Sequence, residues 1–224
     1  SGLQSGDIDA AEIVEPSIIR QFQEKAQDYQ LFTNSKSEMT DVFVQVNTQR
    51  APFDVIDARR ALAYATDRQL LIDTVQAGLF EPADGPFAKN SRYYDPDNGY
   101  PGYDPVKAKE LVEAVKARNG GSFSFTLEGA SNGYMMTSLQ LLQQMYQQVG
   151  MEVKVKSLDQ AAMTIGAVVG DYQAMYFGGW WYADPDSEVA FIDPRNATPP
   201  PEFTLNLTRN NDMALAPMID AWRS

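Results

Sequence analysis

Between Phe123 and Phe177 the hydrophobic period switches repeatedly, and no other feature constrains the fold as much. Phe123, Phe125 and Leu127 alternate with polar neighbours, the two-residue period of a strand. Leu139, Leu142, Met145, Tyr146 and Val149 then recur at helical spacing. Met151, Val153 and Val155 alternate with Glu152, Lys154 and Lys156 as a second strand. A helix is predicted from about Asp159 to Val169, and 172–177 reads as a third, buried strand. Strand, helix, strand, helix, strand implies right-handed parallel crossovers, hence an α/β lobe.

The chain before this series carries further elements. A turn at Gly6-Asp7 is expected to lead into a short apolar strand, and Pro16 opens a helix with Ile18, Ile19 and Phe22 on one face. Asp41 to Asn47 reads as a strand. Ala58, Leu62 and Ala65 fall at helical spacing, and Thr66 with Gln69 forms a capping-box pattern that restarts the helix until Gly78. The Pro-, Gly-, Asp- and Tyr-rich run from Glu81 to Gly102 is a long loop. Within it, Asp95 to Gly99 resembles a calcium loop only superficially: its glycine is one place early and Val106 stands where a chelating Glu belongs. Asp104 caps a helix that begins at Pro105, lines one face with Ala108, Leu111, Val112 and Val115, and ends at Gly120. The tail turns helical at 215–222.

Composition removes whole classes of chemistry. A net charge of −12 opposes binding to nucleic acid or to an anionic membrane. The chain has no histidine and no cysteine, which excludes imidazole bases, Ser-His triads, thiolate chemistry and the usual zinc sites. No cofactor or metal is expected. Two basic pairs, Arg59-Arg60 and Asp67-Arg68, sit on helices and read as structural charges. Met135, Met136 and Met145 read as core filling.

One stretch stands out as a recognition surface: Gly178-Gly179-Trp180-Trp181-Tyr182-Ala183-Asp184-Pro185-Asp186. The two glycines are expected to break the preceding strand, and three rigid aromatics and two carboxylates follow. Two readings stay open: the tryptophans cap the core and Asp-Pro is only a turn, or the stretch is a ligand site. Its place beyond the carboxyl end of a parallel strand favours the site.

The segments Leu3-Gln4-Ser5-Gly6-Asp7-Ile8-Asp9, Val46-Asn47-Thr48 with Ala51-Pro52-Phe53-Asp54 and 58–68, Gly102-Tyr103-Asp104-Pro105, and Gln147-Gln148-Val149-Gly150-Met151 occur in an order that closely resembles family 5 extracytoplasmic solute-binding proteins, the peptide- and nickel-binding components of ABC importers. The resemblance implies an α/β fold, a periplasmic-binding-protein-like type II lobe with a mixed sheet flanked by helices. It implies that residues 1–41 are a remnant of a first lobe. Residues 42–224 would form a second, ligand-binding lobe, incomplete at its C-terminal end, and the chain would be a piece of a longer protein. The first segment, with Ile8, Ile18 and Phe22, is then expected to pack less well than the rest.

The same resemblance bears on residue roles. In peptide-binding relatives an Asp in a Trp-x-Ala-Asp-Tyr segment pairs with the ligand's α-ammonium group. Here Trp181-Tyr182-Ala183-Asp184 matches through the Asp, but Pro185 replaces the tyrosine. Trp180, Trp181, Tyr182 and Asp184 are therefore the expected ligand-binding residues. The implied activity is binding without chemistry: capture of a peptide or similar small solute by cleft closure, with delivery to the transmembrane permease of an ABC importer at a periplasmic or extracytoplasmic location. Oligosaccharides are the next ligand class, since tryptophans also suit sugar faces. The alternative is a glycoside hydrolase using carboxylates such as Asp184, Asp186 or Glu188, which needs two of them roughly 5–9 Å apart.

Overall fold

The computed structural model describes residues 2–32, 39–85, 87, 89, 91–181 and 185–223, with backbone only at 39–41, 180, 181 and 185. In chain order the helices and strands are α1 (Gly2–Ser5), α2 (Pro16–Gln23), β1 (Met39–Val46), α3 (Ile56–Ala65), α4 (Arg68–Val75), α5 (Pro105–Arg118), β2 (Ser124–Ala130), α6 (Gly133–Gln148), β3 (Glu152–Leu158), α7 (Gln160–Val169), β4 (Ala174–Trp181), α8 (Val189–Ile192) and α9 (Ala216–Arg223).

The strands form one mixed sheet in the order β1-β4-β2-β3. β2 runs parallel to β3 and to β4, while β1 is antiparallel to β4. The expected α/β series is thus present in order, although α6 begins at Gly133, before the expected helical positions, and β4 runs on past 177 to Trp181. The connections β2 to β3 and β3 to β4 run in opposite directions across the sheet, so right-handed crossovers set α6 and α7 on opposite faces. α6 lies over the face of β2 that carries Phe125 and Gly129: the Phe125 and Tyr146 rings are 6.1 Å apart, and a Cβ on Gly129 would meet Leu139 Cδ1 at 2.9 Å. Glycine at 129 lets this helix approach the strand closely. Phe53 packs edge-on to Phe123 and Phe125 and joins α3, α5 and the sheet into one core. Met135 and Met145 are buried in that core and Met136 packs against it.

The caps follow the sequence closely. Asp104 Oδ1 accepts from the amides of Val106 and Lys107 ahead of Pro105, and Asp159 accepts from Ala162 N. After α5, Gly120 takes φ +64°, and Gly121 N returns to Lys116 O at 2.8 Å.

Three expectations about the elements and their ends need correction. No strand follows Gly6-Asp7: α1 closes there, and residues 8–15 have no regular structure. The cap of α4 is Asp67 rather than Thr66. Asp67 Oδ1 accepts from Leu70 N at 3.0 Å, whereas the Thr66 hydroxyl donates back to Leu62 O and so finishes α3. Finally, Gly178 and Gly179 do not break the strand, because β1 pairs with both.

The first segment is exposed as expected at Ile8 (47%) and Ile18 (38%), and more so at Val14 (69%). Phe22 departs from that expectation: it is buried, with the Tyr29 ring edge-on at 4.7 Å. Arg20 ties α2 to the end of α4 by donating to Ala77 O at 2.7 Å.

The tail is organised by a buried guanidinium. Arg209 is fully buried and donates to the carbonyls of Val168 and Glu202, each at 2.8 Å, and to that of Thr198. Asn206, the first residue of a glycosylation-like triplet, is also fully buried and donates to the carbonyls of Asp193 and Asn210.

Candidate functional site

The aromatic stretch is positioned by β4. Ala174, Met175 and Tyr176 are buried, where β4 pairs with β1 on one side and β2 on the other. The ladder to β2 ends at the Gly129–Tyr176 pair. The ladder to β1 continues through Phe43–Phe177, Val42–Gly178, Asp41–Gly179, Thr40–Trp180 and Met39–Trp181. Beyond Tyr176, β4 therefore projects past β2 as a two-stranded antiparallel ribbon with β1. The double glycine lies inside this ribbon, and the Phe43 and Phe177 rings, 6.4 Å apart, pack across its base.

Trp180 and Trp181 are the last two residues of the strand, so their backbone is fixed by the ribbon rather than by a loop. Tyr182 and Asp184 lie outside the described residues, as do the side chains of both tryptophans. The chain resumes in a short 3-10 turn, Pro185–Glu188. There Asp186 is held side-on by Arg223 of α9, with Nε–Oδ1 at 2.6 Å and Nη2–Oδ2 at 3.3 Å. Glu188 is buried and accepts from the Ser187 hydroxyl at 3.1 Å. Both carboxylates of the hydrolase alternative that can be described are thus engaged in structural contacts.

Around the base of the ribbon lies a set of tyrosines that sequence reasoning did not single out. Tyr176 is buried on the α6 side with Ser138 as its hydrogen-bond partner, and burial pushes its phenol above the ordinary range. Ser138 Oγ donates to Tyr134 O at 2.9 Å. Tyr134, two residues into α6, has its phenol raised first by burial and then by the nearby carboxylate of Glu15. On the other face, Gln45 donates to the Tyr172 hydroxyl at 2.9 Å, which donates to Leu207 O at 2.5 Å, and burial raises the Tyr172 phenol. Tyr172 and Tyr176 lie on the predicted strand at 172–177 and Tyr134 lies ahead of the predicted helical positions, but nothing local in the sequence separates a buried phenol with a partner from an ordinary core ring.

The arrangement offers strand backbone and aromatic residues at a sheet end, which suits recognition. Within the basic pairs, Arg59 donates to Phe53 O, and Arg68 donates to Pro101 O and lies over the Tyr100 ring. Among the described residues no group of acidic side chains could hold a metal ion, and no helix is long and apolar enough to cross a membrane.

Known proteins share this architecture. The periplasmic binding protein DppA of Helicobacter pylori, solved in complex with the peptide STSA, superposes on the whole chain with a TM-score of 0.78 at 20% identity, and the match covers 43% of that protein. The oligopeptide-binding protein AppA of Bacillus subtilis, in complex with a nonapeptide, gives 0.75 at 24% identity over 98% of this chain and 45% of its own. By sequence, the glutathione-binding protein GsiB of Pectobacterium atrosepticum is 32% identical over 168 residues, 72% of this chain. The GsiB of Escherichia coli strain K12 is 34% identical over 144 residues, 62% of this chain. The chain spans about a third of the length of these curated relatives, 32% and 27% respectively. Residues 1–199 match the family described as bacterial extracellular solute-binding proteins, family 5 Middle, and the chain belongs to that family.

Proposed function

We propose that this chain is the larger part of a ligand-binding lobe in the substrate-binding component of an ABC importer, which captures a short peptide and presents it to a membrane permease outside the cytoplasm. In this reading residues 42–224 form the second lobe and residues 1–41 belong to the first. The β1/β4 ribbon then joins the two, and closure around the ligand shifts an open–closed equilibrium by the ligand's preference for the closed form.

The observation that carries a peptide ligand is the ribbon itself. Once the β2 ladder stops at Tyr176, the β2-side edge of β4 can offer backbone N–H and C=O groups to an extended chain, while flanking side chains supply selectivity. Trp180, Trp181, Tyr182 and Asp184 are the proposed ligand contacts. Adjacent strand positions belong to opposite faces of a sheet, so Trp180 and Trp181 would serve different parts of the site rather than one stacked pair. Asp184 would pair with the ligand's ammonium group, because a cation enclosed in a closed cleft needs a charge partner. Two relatives are named for binding glutathione, itself a tripeptide, which makes small peptides the first ligands to try.

Calorimetry on the whole protein tests this directly, with glutathione, an unmodified tripeptide and a neutral oligosaccharide in parallel. Saturable binding of a peptide with no heat from the oligosaccharide is expected. Binding of the oligosaccharide alone would overturn the peptide reading.

A further inference from the structure

The dipeptide Asn-Gly occurs three times in the chain, at 98–99, 119–120 and 132–133. It is the pair most prone to lose its side-chain amide, because glycine has no Cβ to keep its backbone nitrogen away from the Asn Cγ. How firmly each carboxamide is held then decides its fate. At 98 both ends are tied: Asn98 Oδ1 accepts from Tyr100 N at 2.8 Å, and Nδ2 donates to Asp95 O at 2.9 Å. At 132 the oxygen caps α6, accepting from Met135 N at 3.2 Å. At 119 the side chain is exposed, and among the described residues its carboxamide has no hydrogen-bond partner.

The backbone at 119 also has room to move. Asn119 closes α5 with its own N–H bonded back to Val115 O and Lys116 O, so the residue is anchored on one side only. Gly120 and Gly121 follow at φ +64° and +92°, and Gly120 N–H has no acceptor among the described residues. A Cβ built at either glycine would meet nothing within 4 Å, so the amide can swing without striking a neighbour.

We propose that Asn119 is a site of spontaneous deamidation, and that the fold selects it over 98 and 132. Gly120 N attacks Asn119 Cγ, the Cγ–Nδ2 bond breaks, and ammonia leaves with the proton from Gly120 N, closing a succinimide. Water then opens the ring at either carbonyl to give aspartate or isoaspartate, and the ammonia takes up the proton of the new carboxylic acid. The isoaspartyl form routes the main chain through Cβ and Cγ and so lengthens it. That draws Gly121 N off Lys116 O, at the turn that leads into buried Phe123.

The test holds the whole protein at mildly alkaline pH and follows each site by peptide mapping with mass spectrometry. Residue 119 should lose its amide at least about fivefold faster than 98 or 132, since each of those must first release a hydrogen-bonded carboxamide. In denaturant, where no carboxamide is held, the three should convert at similar rates. Asn119→Gln should keep its amide far longer, because its ring is one atom larger and closes slowly. The proposal is overturned if 98 or 132 converts as fast as 119 in the folded protein. It is equally overturned if 119 stays intact while the denatured chain converts, or if Asn119→Gln loses its side-chain amide as fast as the wild type.

Discussion

The guanidinium of Arg209 lies directly against the bare Cα of Gly170: a Cβ built at 170 would overlap Arg209 Nε. Gly170 also ends α7 at φ +73°, where a side chain is strained. The same guanidinium holds the carbonyls of Val168, Thr198 and Glu202, so one contact fixes both the end of α7 and the tail. Gly170→Ala should therefore destabilise the fold by about 2 kcal/mol or more, through strain and overpacking together. Urea unfolding is the check, and a loss under about 0.5 kcal/mol would show that Arg209 moves aside freely.

Gly129 and Leu139 make a second close approach, between β2 and α6. Gly129→Ala should cost about 1–3 kcal/mol, because the methyl would meet Leu139, which is fully buried. In the Leu139→Ala background the same change should cost much less, since the obstacle is gone. A double-mutant cycle with no coupling would contradict this packing.

The cap of α4 can be tested against its neighbour. Asp67→Ala should cost about 1 kcal/mol, while Asp67→Asn or Asp67→Ser should retain most of the stability. Equal losses for all three would mean that the hydrogen bond to Leu70 N contributes nothing.

The Asp193–Arg195 pair gives a pH signature. Hydrogen bonds from Arg195 hold the Asp193 carboxyl below its ordinary range, and Arg195 also grips Asp220 of α9. A carboxyl depressed in the folded state stabilises above its unfolded pKa and loses that contribution as pH falls through the folded value. The stability deficit of Arg195→Met should thus be steady from neutral pH down to about 5 and shrink below about 4, where unfolded Asp begins to protonate. Unfolding midpoints across that range measure it, and a deficit that grows on acidification would refute the assignment.

Most of the lobe was readable because side-chain period is a local property. Phe123, Phe125 and Leu127 alternate whatever lies elsewhere, and Asp104-Pro105 opens a helix unaided. The misreadings have two causes, a partner remote in sequence and a side chain with two local options. Gly178-Gly179 looks like a strand end until Val42 and Asp41 are set opposite. The Thr66 hydroxyl could cap forwards or bond backwards, and only the fold decides. Arg209 has no local sign of burial, because its partners lie as far back as Val168. At the candidate site the aromatics drew attention to the segment, with Tyr182 and Asp184 outside the described residues, whereas the Asp186–Arg223 pairing and the projecting ribbon depend on contacts across the chain.

We propose that a carboxylate at 184 meets the ammonium end of a peptide, and one calorimetric comparison tests this most directly. The whole protein and its Asp184→Asn variant are titrated with a peptide and with its N-acetylated form. Loss of one partner from a buried charge pair costs about 2–5 kcal/mol, so the variant should bind the free peptide roughly 30- to several-thousand-fold more weakly. Acetylation should cost the wild type a comparable factor and the variant little. If the acetylated peptide binds the wild type as tightly as the free one, Asp184 is not the ammonium partner and the claim fails.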